Sequence, residues 1–244
     1  MSEFKFPTEE IDLPSRGLLY PADSPLASGK IEMKYMTAKE EDILTNPNYI
    51  ANGTVIDKLL QALIISKDVD YTDLVIGDQN AVMIAARILG YGKDYEFNYG
   101  GRSQKVDLTT LEDKEFDESL ITPHVNEFAY TLPHSKTHLT FKILTVGDST
   151  KIKREVDGLK KINVDNNPER TTRLKYMITS INEDRELKTI RSFVDTAFLA
   201  RDAKAFRDYV ALVQPDINLD IKVETRNGEE DVTLPITANF FWPE

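Results

Sequence analysis

A chain of 244 residues that is 41% hydrophobic, with eleven Phe and ten Tyr, carries enough apolar matter for one large or two modest packed domains, which excludes a wholly disordered chain. Thirty basic against 41 acidic side chains leave a formal charge of −11, which disfavours a dedicated nucleic-acid or anionic-membrane binder, because phosphate contacts need clustered Lys and Arg. The lack of Cys excludes disulfides and thiolate zinc sites, and the opening Met1-Ser-Glu-Phe-Lys-Phe6 has no apolar signal core, so a soluble intracellular product without a membrane span is expected.

Residues 1–30 hold Pro7, Pro14, Pro21 and Pro25, which disfavour helix and predict an extended arm with turns. Phe4, Phe6, Ile11, Leu13, Leu18, Leu19 and Tyr20 are too many apolar residues for a solvated tail, which leaves two readings: the arm wraps its own body, or it docks on a partner. Ile31 to Met36 alternates as a strand, and Thr37 with Glu40 has the capping-box spacing for a short helix to Leu44. Asn46-Pro47-Asn48 predicts a turn. After Gly53-Thr54, the residues Val55, Ile56, Leu59, Leu60, Leu63 and Ile64 recur at helical spacing, the clearest amphipathic helix in the chain. Asp78 is expected to cap a further helix, with Val82, Ala85, Ala86 and Leu89 on one face and Gly90-Tyr-Gly92 as its stop. Tyr95 to Tyr99 and Lys105 to Thr109 predict a hairpin about Gly100-Gly101, and residues 112–124 an acidic linker.

The second part continues with a strand near Leu139, then a charged helix over Asp148 to Lys161 around Ile152, Val156 and Leu159. Asn166-Asn167-Pro168 precedes a helix from about Glu169 to Thr179, and Thr189 to Ala200 places Ile190, Val194 and Phe198 on one face. Asp202 is expected to cap the next helix, Pro215 to end it, and Asn227-Gly228 to turn a last hairpin.

An internal repeat links these parts. Ile31-Glu-Met33 through Thr37 matches Leu139-Thr-Phe141 through Thr145, Leu60 to Ser66 matches Leu174 to Ser180, Asp78 matches Asp202, and Tyr95 to Leu108 matches Leu219 to Leu234. The predicted fold is therefore α+β, with two related lobes that each run strand, helices, hairpin. The expected boundaries are an arm at 1–30, a first lobe with linker at 31–122, a second lobe at 123–236 and an aromatic tail at 237–244.

The chain contains no P-loop, dinucleotide fingerprint, HExxH or EF-hand spacing. His134 and His138 stand four apart without a matched carboxylate cluster, so no metal site is expected, nor any cofactor, catalytic residue or small-molecule substrate. Residues 151–175 form a locally basic patch, read either as a solvated helix face or as a dock for an acidic neighbour. Phe240, Phe241 and Trp242 cannot all hide on one face of a strand, so burial in the second lobe accounts for one or two of them and the remainder is read as partner contact. The candidate contact residues are Leu13, Arg16, Leu18 and Tyr20 in the arm and Phe240, Phe241 and Trp242 in the tail.

Three stretches, Leu13-Pro-Ser-Arg-Gly-Leu-Leu-Tyr-Pro21, Lys34-Tyr-Met-Thr-Ala-Lys-Glu-Glu-Asp-Ile-Leu44 and Gly77-Asp-Gln-Asn with Ala85-Ala-Arg-Ile-Leu-Gly-Tyr-Gly92, resemble the baseplate proteins of T4-like contractile-tailed bacteriophages, and the terminal Phe-Phe-Trp-Pro is similar too. The resemblance implies a non-enzymatic component of the baseplate hub whose partners are other baseplate or hub proteins. It also implies a place in the host cytoplasm during assembly and, if the protein is retained, in the virion tail. Proteins of this type can carry Cys pairs in the hairpin as a zinc knuckle, and the hairpins here have none. Rival readings are a hub-assembly chaperone that leaves before maturation, a hydrolase using a metal held by carboxylates, and a host-directed regulator acting through the basic patch.

Overall fold

The computed structural model describes residues 7–162, 167–225, 228–236 and 240–242. Among them helices alternate with four small antiparallel sheets, an α+β fold. No helix among them is long and apolar enough to cross a membrane.

The stretch expected as an extended arm, wrapped on its own body or docked on a partner, is from Thr8 part of the body. β1 (Thr8–Asp12) pairs with β2 (Lys30–Lys34), Ile11 opposite Ile31. Thr-Glu-Glu-Ile-Asp has almost no apolar alternation, so its strand is imposed by its neighbour and has no signal of its own. Phe4 and Phe6 lie outside the described residues. α1 (Ala38–Leu44) starts at the expected capping box. Asn46-Pro47 begins a helix where a turn was expected, α2 (Pro47–Ala51): the Asn46 side chain accepts from the amides of Asn48 and Tyr49, and Pro47 has its φ already set for a first turn. α3 (Val55–Leu63) buries Leu59, Leu60 and Leu63 completely, and the chain leaving it bridges β2 at Met33–Ile64. α4 (Ile76–Tyr91) is buried on most sides and is followed by the hairpin of β3 (Asp94–Tyr99) and β4 (Arg102–Asp107).

The second part also runs from a hairpin through helices to a last hairpin, with an added strand among the helices. β5 (Phe128–Thr131) and β6 (His138–Phe141) form a hairpin, α5 (Val146–Ile162) and α6 (Glu169–Met177) follow, and β7 (Ile178–Ile181) returns to pair with β6. The last residues of the helix expected to reach Thr179 are therefore strand. α7 (Leu187–Thr196), α8 (Ala200–Val213) and the hairpin of β8 (Asp220–Thr225) and β9 (Gly228–Thr233) complete the half, and the expected turn residue Asn227 lies outside the described residues.

One apolar core runs through both halves, from Leu13 to Phe241. A backbone bridge at Val75–Thr145 ties the start of α4 to the start of α5. Gly77 sits where an added Cβ would lie 1.9 Å from the Pro215 carbonyl oxygen, so the two halves meet backbone to backbone. Gln104 on β4 donates to the Glu224 carbonyl on β8 at 2.8 Å, which sets the two hairpins side by side. The acidic linker is fixed as well: Lys114 and Asp117 donate backbone bonds of 2.7 Å to Asp216 and Leu212, and His124 donates one of 2.7 Å to Leu18.

Candidate partner-contact site

The loop of the first hairpin folds back on the start of α4. Asp78 accepts the Ser15 amide at 2.9 Å, the Ser15 hydroxyl at 2.6 Å and the Tyr20 hydroxyl at 2.5 Å, while the Tyr20 oxygen accepts from the Val75 amide at 3.0 Å. Gly17, at φ 78°, leaves no room for a side chain, because a Cβ would stand 2.3 Å from the Ala27 carbonyl oxygen. Burial pushes the Asp78 carboxyl above the usual range against the pull of these donors, and burial together with Asp78 pushes the Tyr20 hydroxyl up.

This geometry corrects the expected contact residues. Leu13 and Tyr20 are at most 3% exposed and belong to the core, and Leu18 is half-buried. Arg16 is exposed, but it pairs with Glu118 and lies 5.5 Å over the Phe116 ring, so it clasps the chain's own linker. The tail is corrected in the same sense. Phe240 and Phe241 are at most 1% exposed, Phe240 meeting Tyr95 edge-on at 4.9 Å and Phe241 meeting Phe240 at 5.2 Å. A two-stranded hairpin cannot cover its own apolar face, and Phe240, backed by Phe241, covers Tyr95. Trp242 is half-buried against the same core, and residues 237–239 and 243–244 of the expected tail lie outside the described residues.

Asp78 and Asp202 are not N-caps, since Val75 and Leu199 hold those positions. Each Asp instead stands in the first turn and reaches back to the loop of its own half's first hairpin. Asp202 accepts from the amides of His134 at 2.8 Å and Ser135 at 2.9 Å. Burial works upward on the Asp202 carboxyl, but those amides outweigh it and hold the group below its ordinary value. A second pair of buried carboxylates, Glu40 and Asp148, is held near helix starts by Lys and Thr partners. Lys34 donates to Glu40 at 2.8 Å and Thr37 shares that carboxylate, while Lys142 donates to Asp148 at 2.6 Å and Thr145 shares it. Burial opposes the charge on Glu40, and Lys34 and Thr37 outweigh it, leaving the group below its ordinary value.

Part of the basic patch, on α6, faces a concavity. Between α6 and α8 lies a cleft of about 540 Å³ floored by Leu174, Met177, Phe206 and Val210. Arg170, Arg173, Arg207 and Lys114 line it, and none of the four forms an ion pair among the described residues. Lys175 on the other side of α6 is already paired with Asp195 at 2.7 Å. Asp216 at the cleft's end is held by the Asn80 side chain at 2.8 Å and the Ile217 amide at 2.9 Å. Arg207 and Lys114 escaped the sequence reading because they come from α8 and from an acidic linker, far from the patch. For Arg207 the signal is a cation beside Ala203, Val210 and Ala211 on α8, and Lys114 in the linker carries none.

A scan against protein-family models, a search of curated proteins and a search of solved structures each return no match to this chain.

Proposed function

We propose that the chain is a structural or assembly component of the tail baseplate hub of a T4-like contractile-tailed bacteriophage, acting by protein–protein contacts. The observation that carries this reading is where the resembling residues fall. Leu13 to Pro21 forms the loop held by Asp78, Lys34 to Leu44 contains the Lys34–Glu40 clasp, and Gly77 to Gly92 is the central helix with its close approach to Pro215. The likeness is thus concentrated on residues that define a shared scaffold. The buried carboxylates Glu40, Asp78, Asp148 and Asp202 each hold a loop or a helix start, which suits a rigid body. We further propose that the two halves are copies of one unit, on the support of the matched element order and the paired roles of Glu40 with Asp148 and Asp78 with Asp202.

Affinity purification of the tagged chain co-expressed with the hub proteins of such a phage tests the reading: a stoichiometric complex is expected, and a chain that elutes alone from every combination contradicts it. Mass spectrometry of purified virions then separates a resident subunit, present in every particle, from an assembly factor that is absent from them.

A further inference from the structure

We propose that the cleft between α6 and α8 is a docking groove for an acidic polypeptide segment of another protein, one that sets a large apolar side chain on the floor and its carboxylates against the arginines. This deepens the reading of a contact-based assembly protein and rests on it.

The argument starts from the same place in the first half. Aligning α3 with α6 at their ends, nine residues each, sets Ile56 with Arg170, Leu59 with Arg173 and Leu63 with Met177. Aligning Asp78 with Asp202 sets Val82 with Phe206 and Met83 with Arg207. In the first half α3 packs directly on α4, with Leu59, Leu63 and Val82 fully buried. In the second half Met177 and Phe206 keep two of these places apolar, but Arg173 stands at the place of Leu59, and Arg170 and Arg207 at those of the partly buried Ile56 and Met83; guanidinium groups bury only when paired, and a cleft lies between the two helices.

The chemistry of the lining selects the occupant. Four cations gathered at one slot of a chain with net charge −11 call for anionic groups, and Arg is the side chain best built to fork onto carboxylates. The floor of Leu174, Met177 and Val210 offers contact to an apolar side chain, which a polynucleotide backbone does not supply. Phe206 is not free for base stacking, because its ring lies against Phe141 at 4.9 Å and Phe198 at 6.1 Å. The volume falls within the range of about 300 to 1,000 Å³ in which proteins hold compact ligands. The molecule already shows such a recognition once: Arg16 holds the acidic linker by Glu118 and Phe116. That linker is pinned by Asp216 and Leu212, so this chain's own acidic-aromatic segment is engaged and a different protein is the expected donor.

The test uses a fluorescein-labelled eight-residue peptide of alternating carboxylates with one phenylalanine and one leucine, read by anisotropy against the full chain. Saturable, salt-sensitive binding is expected, weakened at least ten-fold by Arg173→Glu with Arg207→Glu, weakened when serines replace the two apolar residues of the peptide, and unchanged by Lys160→Glu on α5. Should the double reversal lower the melting temperature, Arg170→Glu with Lys114→Glu takes its place. Lack of binding, indifference to the reversals, stronger binding of an oligothymidylate at the same residues, or a shift of a dimer equilibrium by the reversals overturns the proposal. In phage, tails that assemble with the reversed arginines but fail on deletion of the gene would remove the groove and leave the hub reading standing. Tails that assemble after deletion would remove the hub reading itself.

Discussion

Between its paired helices the first half of the molecule is closed and the second is open. Both hold the loop of a hairpin with an Asp in the first turn of a later helix, and both anchor a helix start with a Lys-supported carboxylate. They differ in what fills the space between the paired helices. α3 and α4 meet through fully buried aliphatic side chains, with Tyr20 bonded to Asp78 at the start of α4, while Phe240 covers β3. α6 and α8 meet around a cleft edged by arginines. If the halves are copies of one unit, as proposed, a few guanidinium groups in place of apolar side chains separate a core from a candidate contact surface.

The largest break in that comparison comes from truncating matched floor residues. Leu63→Ala empties a fully buried site and is expected to cost about 2 to 5 kcal/mol in urea unfolding, whereas Met177→Ala, half-buried at the cleft, is expected to cost about 1 kcal/mol. Equal losses would mean that the second half is as closed as the first. The matched carboxylates give the next contrast. Asp78→Ala leaves the Ser15 amide and hydroxyl and the Tyr20 hydroxyl buried without their acceptor, an expected loss of about 3 kcal/mol. Asp202→Ala frees amides of the exposed residues His134 and Ser135, which water can reach, for about 1 kcal/mol.

A smaller effect is set by pH. Glu40 titrates below its ordinary 4.5 in the folded chain, so its contribution is full above that value and is lost as pH falls through the lowered one. Glu155, held down by Arg191, acts in the same direction. Asp78 acts in the opposite sense: its raised carboxyl favours folding most at low pH and loses that contribution as pH rises through the raised value. Glu40→Gln should therefore flatten the fall in urea midpoint below about pH 4.5. An unchanged slope would show that the Lys34–Glu40 clasp adds nothing to stability.

Much of this fold could be read from periodicity, and the misses share physical causes. α3 was legible because Val55, Leu59, Leu60 and Leu63 repeat on one face, and the capping box at Thr37 because its side chains act locally. β1 and β7 were not, since Thr8–Asp12 has no alternation and Ile178–Ile181 continues an apolar run out of α6, and their partners in β2 and β6 decide their state. Asp78 and Asp202 read as caps because a first-turn Asp serves either its own helix amides or distant ones, and sequence does not say which loop arrives. Where the aromatic tail packs is not legible, because the hairpin face that Phe240 covers lies far back in the chain. The cleft combines cations from α6, α8 and the linker, so the basic patch showed only part of it.

Amide hydrogen exchange of the full chain tests the contrast between the halves most directly, because protection reports how much each element depends on global unfolding. Amides of α3 and α4 around Leu60, Val82 and Ala86 are predicted to exchange only through global unfolding, while those of α6 around Arg173 and Leu174 exchange through local opening at a lower free energy. Equal protection of α3 and α6, or weaker protection of α3, would contradict a closed first half and an open second one.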